Sequence, residues 1–123
     1  MNSLISALRA HFPAASVITD ELRLLAWGTD ASFYRLIPQV VVVVESEDDV
    51  VHVLAVAAQQ GVHLTFRAAG TSLSGQAVTD GILVLIGEAF ATCEIGLDAA
   101  TVRVGPGVIG GEENDATRDF FRL

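Results

Sequence analysis

An α/β (α+β) fold with a small, mainly parallel sheet, built on a βαβ unit and flanked by helices, is predicted by three features of this 123-residue chain. The run VVVVV, Val40 to Val44, is β-branched throughout and does not alternate, which is how a strand covered on both faces reads. The stretch after it, SEDDVVHVLAVAAQQG, has the cap and the period of a helix. LTFR, Leu64 to Arg67, then returns to strand. Strand, helix, strand in that order makes the two strands parallel, with a right-handed crossover.

The remaining elements follow in chain order. Leu4, Ile5 and Leu8 repeat at helical spacing ahead of Pro13, which predicts a short helix over roughly residues 3–11. A second short helix, roughly 20–27, carries Leu22, Leu25 and Ala26 and stops at Gly28. GTDASFYRLIP reads as a polar loop with buried aromatics, and Pro38 holds Ile37 extended. In the long helix Ser46 is the expected N-cap. Glu47, Asp48 and Asp49 sit in the first turn, where negative charge suits the helix dipole. Val50, Val53, Leu54 and Ala57 form its apolar stripe, and Gly61 ends it. Asp80-Gly81 makes a turn into a third strand, ILVLIG. TCEIGLDAATVRVGPG reads as two short strands joined near Asp98 to Ala100. Beyond Gly107 the pattern is ambiguous: Val108, Ile109, Ala116, Phe120 and Phe121 could line a helix, but Gly110-Gly111 opens one poorly.

Composition narrows the function classes. Half of the chain is hydrophobic and charged residues are sparse, which argues against disorder. A formal charge of −8 disfavours nucleic acid as a partner. Backbone N–H groups must then do much of the work of holding any anionic ligand. The single cysteine, Cys93, builds neither an internal disulfide nor a metal site and reads as a small core residue. The N-terminus lacks the basic and apolar regions of a signal peptide. The longest apolar run, Val40 to Val44, is far below the roughly 20 residues of a transmembrane helix.

RAAGTSLSGQ, Arg67 to Gln76, is the stretch richest in chemistry. Gly70 and Gly75 have the spacing of a P-loop, but Gln76 and Ala77 stand where Lys and Ser or Thr belong, and a strand follows in place of a helix. No GxGxxG fingerprint follows a strand either. The loop still has the ingredients of an anion cradle. Its glycines permit close approach and positive φ, successive N–H groups can form a nest, and Thr71, Ser72 and Ser74 add hydroxyls. Arg67, at the end of its strand, either pairs with a phosphate or braces the loop. A small-residue surface turn is the bland alternative.

FRAAGTSLSGQAVTDGILV, VRVGPGVIGGE and TDASFYRLIPQVVVVVESEDDV together resemble the N-terminal half of the FAD-binding domain of the vanillyl-alcohol oxidase / p-cresol methylhydroxylase (PCMH) superfamily, over about residues 24–112. Within it the likeness is greatest to D-2-hydroxy-acid dehydrogenases acting on substrates such as D-lactate or D-2-hydroxyglutarate. The resemblance implies the first subdomain of a PCMH-type FAD-binding fold, with residues 1–38 a helical segment and loop and 39–123 a partial FAD-binding domain. It also implies that Arg67, Ala68, Ala69, Gly70, Thr71, Ser72, Leu73, Ser74, Gly75 and Gln76 wrap the FAD pyrophosphate. Members that attach FAD covalently through this loop have histidine where Thr71 stands, so the flavin is expected to be non-covalent. His11, His52 and His63 read as surface or packing residues.

The chain departs from the family pattern at Val44, where proline is usual, and at Glu113 and Thr117, where apolar residues are usual. The second subdomain and the substrate cap are expected to be missing, along with the cysteines of an iron–sulfur cluster. No catalytic residue and no metal ligand is assigned. The implied function is therefore part of an FAD-dependent oxidoreductase of 2-hydroxy acids, inactive by itself. Two alternatives stay open: a non-catalytic nucleotide-binding or interaction module, and another flavin enzyme such as a cell-wall precursor reductase. The expected partners are FAD and either the rest of a flavin domain or a second copy of the chain. The expected location is cytoplasmic, at most peripheral to the inner membrane in a full-length enzyme.

Overall fold

The computed structural model describes residues 3–111, together with 115 and 118. A four-stranded sheet forms its centre. Its strands are β1 (Val17–Ile18), β2 (Val40–Val44), β3 (Leu64–Arg67) and β4 (Ile82–Ile86), in the spatial order β1-β2-β4-β3. β2, β4 and β3 run parallel and β1 is antiparallel to β2. β2 and β3 are thus parallel as the sequence predicts, but β4 lies between them and pairs with both, Val44 with Ile86 on one side and Arg67 with Leu85 on the other. β1 was not expected. Two residues are too few to give a periodic signal, and the strand exists because it pairs with Val41 and Val42.

The valine run is explained by cover on both faces. Val40, Val42 and Val44 pack with Leu4, Leu8 and Phe12 and with Val53, Val56 and Ala57 on one side of the sheet. Val41 packs with Ile18, Leu24, Leu83 and Leu85 on the other, with Trp27 and Val43 against them. With no solvent-facing side, the strand keeps no polar alternation.

Helices α1 (Ser3–Arg9) and α3 (Glu47–Gln60) cover the first face, and α2 (Glu21–Ala26) the second. Two expected faces need correction. Leu54 is exposed, because α3 buries Val53, Val56 and Ala57. In α2, Leu24 is the buried residue, while Leu22 and Leu25 are exposed. Such short apolar runs fit more than one helical phase, and packing selects one. The aromatics of the following loop are likewise outside: Phe33 and Tyr34 are both exposed.

The ends of α3 form as its sequence dictates. The Ser46 hydroxyl accepts from the Asp49 N–H at 3.1 Å, and the Asp49 carboxylate accepts from the Glu45 N–H at 2.9 Å. Gly61 closes the helix in the left-handed region, φ 64°. A two-stranded ribbon, β5 (Cys93–Ile95) with β6 (Val102–Val104), follows the central sheet. Gly110 and Gly111 are helical despite their poor propensity. Glu113, Ala116, Thr117, Phe120 and Phe121 lie outside the described residues.

Two outcomes test the cap. Ser46→Ala is expected to lower unfolding free energy by about 1 kcal/mol in urea melts. The Glu45 N–H, with help from His11 and Ser46 and against partial burial, holds the Asp49 carboxyl below its usual range. A depressed folded-state value means that this contribution is present above the unfolded value, about 4, and is lost as pH falls through the folded one. Urea melts between pH 6 and pH 2 should therefore show a smaller acid loss of stability for Asp49→Asn than for the parent.

Candidate functional site

The site begins with a topological oddity. β3 and β4 are parallel neighbours, so the chain must return along the sheet between them, and it does so through residues 68–81 without a helix. Irregular connections of this length are uncommon and usually functional. A loop without its own ladder needs other anchors, and here they come from its two ends and from the segment 27–36.

Arg67 supplies the first anchor. One guanidinium nitrogen donates to the Thr29 carbonyl at 2.6 Å and to the Ala77 carbonyl at 3.4 Å. The guanidinium carbon lies 5.1 Å from the centre of the Trp27 ring, in the range of a cation–π contact. One side chain thus ties the start of the loop, its far end and the segment after α2. A second set of bonds runs beside it. The Ala31 N–H donates to the Gly70 carbonyl at 3.2 Å, and the Ala77 N–H to the Asp30 carboxylate at 3.4 Å. The Ser32 hydroxyl and N–H close an Asx turn on the same carboxylate. The Ser32 hydroxyl, then its N–H and that of Ala77, with the Arg67 charge, keep the Asp30 carboxyl below its usual range against some desolvation.

Both glycines of the loop are used for conformation. Gly70 has φ 69° and Gly75 φ 78°, values at which a Cβ is strained. Each also has a neighbour where a side chain would stand. A Cβ on Gly70 would overlap the Arg67 guanidinium, and one on Gly75 would lie 3.0 Å from the Tyr34 ring. Between them the Ser72 hydroxyl accepts from the N–H groups of Ser74 and Gln76 and contacts the Gln76 amide oxygen.

What remains is a row of free donors. The N–H groups of Gly70, Thr71, Ser72 and Leu73, and that of Gly75, have no acceptor among the described residues. Consecutive unpaired N–H groups beside a left-handed glycine are the arrangement of an anion nest. Leu73 and Thr71 are exposed, so the row is open to solvent. A pocket of about 340 Å3 adjoins it, lined by Tyr34, Arg35, Leu36, Ser74, Gly75 and Val78.

Of the ten residues singled out in the sequence, Arg67, Gly70, Ser72, Gly75 and Gln76 build the loop's framework. Ala68, Ala69, Thr71, Leu73 and Ser74 lie on its course. Among the described residues no group of three or more metal-ligating side chains occurs. His11 stacks on His52 at 3.9 Å and meets Asp49 at 3.1 Å, His63 meets Asp80 at 2.7 Å, and the buried Nε2 of His52 has no hydrogen-bond partner among the described residues. The contribution of Trp27, Asp30, Ser32, Tyr34 and Arg35 was not foreseen. Asp30-Ala31-Ser32 does carry an Asx-turn signal, but only the fold sets that turn against the glycine loop.

An open α/β sheet whose crossover loop carries consecutive unpaired N–H groups has a geometry suited to anions. Residues 38–120 match the FAD binding domain family. The chain is 31% identical over 109 residues to glycolate oxidase subunit GlcD of Escherichia coli (strain K12), covering 86% of this chain and 22% of that protein. It is 31% identical over 118 residues to D-2-hydroxyglutarate dehydrogenase of Pseudomonas putida (strain KT2440), covering 93% of this chain and 12% of that protein. Among solved structures, p-cresol methylhydroxylase with substrate bound superposes with a TM-score of 0.78 at 15% identity, over 97% of this chain and 24% of that one. The chain belongs to the FAD binding domain family, and it shares its fold with p-cresol methylhydroxylase. It spans about a fifth or less of the length of these curated relatives.

The packing at Gly70 makes a specific prediction. Gly70→Ala should cost about 1–2 kcal/mol, from the positive φ and the displaced guanidinium. It should also shift the emission of Trp27, the chain's single tryptophan, because the cation over the ring must move. Unchanged emission with a stable fold would place Arg67 elsewhere.

Proposed function

We propose that residues 67–76 form the pyrophosphate cradle of an FAD-dependent oxidoreductase that oxidises a 2-hydroxy acid such as D-lactate or D-2-hydroxyglutarate. The row of free N–H groups from Gly70 to Leu73 carries this reading. In a chain of net charge −8, backbone dipoles can receive two phosphates without a cluster of basic side chains. The match to the FAD binding domain names a ligand with that chemistry. The names of the two curated relatives point to hydroxy-acid substrates. Bound FAD would supply the hydride-accepting chemistry. This chain's residues would bind and orient the dinucleotide, and no side chain here is assigned as base or substrate anchor.

The attachment is non-covalent. Thr71 offers a hydroxyl where a ring nitrogen would be needed, and His11, His52 and His63 are held by contacts outside the loop. Residues 1–38 form a helical segment and loop, and 39–123 a partial FAD-binding domain. Leu22, Leu25, Phe33, Leu36 and Ile37 are exposed apolar residues, which supports cover by the rest of a flavin domain or by a second copy of the chain.

Isothermal titration of the 123-residue chain with FAD tests the reading. Weak, saturable binding is expected, because a nest alone gives the flavin ring little apolar burial. Dye reduction with D-lactate or D-2-hydroxyglutarate should not occur. Flavin released into solution on acid denaturation is the expected result for a non-covalent cofactor; yellow colour retained by the polypeptide would contradict it. No detectable FAD binding, with binding of an unrelated nucleotide, would favour a non-flavin module.

A further inference from the structure

The chain contains no lysine, so all seven of its cationic side chains are arginines. Four of the six described ones can be sorted by what they hold. Arg9 donates to Thr19, Arg23 pairs with Asp20, and Arg118 pairs with Asp115. Arg67 is committed to the Thr29 and Ala77 carbonyls and to the Trp27 face, with Gly70 pressed against it. That leaves Arg35 and Arg103 without a side-chain partner among the described residues. Arg103 lies on β6 and lines a separate pocket with Glu94. Arg35 is exposed and lines the pocket that also contains Ser74 and Gly75 of the glycine loop.

We infer that Arg35 is the phosphate-pairing cation of this site, and that Arg67 is a positioning residue which shapes the loop and does not meet the ligand. The inference rests on the pyrophosphate reading of the loop. Arg67 is held by its surroundings: Nη1 holds two carbonyls and Nε and Nη2 lie against Gly70, so turning the guanidinium to a phosphate would free both carbonyls and remove the contact that shapes the Gly70 turn. Arg35 gives up nothing in the protein when it pairs. Its planar fork suits two phosphate oxygens. Its position beside Gly75 is fixed from below, since the adjacent Tyr34 ring packs on that glycine and the Thr29–Arg35 bridge closes the turn that carries it. On an acidic surface this one unspent charge beside the nest is also what an approaching anion would meet first.

Two measurements on the full chain test this. In the first, FAD affinity is compared for the parent, Arg35→Gln and Arg103→Gln, two variants with the same change in net charge. Arg35→Gln should weaken binding about tenfold and reduce its dependence on salt, while Arg103→Gln should leave both unchanged. In the second, inorganic pyrophosphate is titrated while the arginine Nε–H resonances are followed by NMR. The Arg35 signal should move and the Arg67 signal should not. Equal affinity of Arg35→Gln and the parent, or a pyrophosphate shift at Arg67 in place of Arg35, would overturn the inference and leave the flavin reading intact. A shift of Arg35 with pyrophosphate, in a protein that does not bind FAD, would sustain the inference and overturn the flavin reading. No shift of either arginine would overturn the inference and leave the flavin reading to be tested at the loop amides.

Discussion

The site depends on one guanidinium whose hydrogen bonds go to backbone carbonyls. Arg67 leaves the end of β3 and reaches the Thr29 carbonyl, the Ala77 carbonyl and the Trp27 ring. It therefore fixes three pieces of chain that the sheet does not itself connect. A loop that lacks a ladder has to be held by side chains, or it samples many shapes and binds nothing in particular. Gly70 completes the arrangement, because only a residue without a Cβ fits against that guanidinium at φ 69°. The N–H groups that follow, Gly70 to Leu73, have no acceptor among the described residues.

The sheet explains why the anchor stands where it does. β4 lies between β2 and β3 and is almost wholly buried, so the strand order is set by burying ILVLI on both faces. β3 is then an edge strand whose outgoing chain must cross back to start β4. The second face of the sheet is covered by α2 and Trp27, which brings the tryptophan to the end of β3. Packing of the core thus delivers the ring on which the Arg67 guanidinium rests.

Much of this was legible in the residues. The valine run, the Ser46 cap, the Gly61 stop, and the strands Leu64–Arg67 and Ile82–Ile86 all follow from local rules, because each is a strong short-range signal. The loop itself was legible through Gly70 and Gly75. The failures share one cause. β1, the buried phase of α2, the exposure of Leu54 and the intercalation of β4 are all decided by contacts between segments distant in the chain. The same holds for the site. Whether Arg67 braces the loop or meets a ligand was open in the sequence, and the bracing contacts to Trp27, Thr29 and Ala77 are visible only in the fold.

Backbone N–H groups from Gly70 to Leu73, with that of Gly75, are proposed to receive the pyrophosphate. The most direct measurement is amide NMR of the uniformly labelled chain during titration with FAD, repeated with ADP. The account predicts that the largest shifts, in both titrations, fall on the amides of Gly70, Thr71, Ser72, Leu73 and Gly75, with those of α3 unmoved. Largest shifts in α3 or in the β5–β6 ribbon, with the loop amides unchanged, would contradict it.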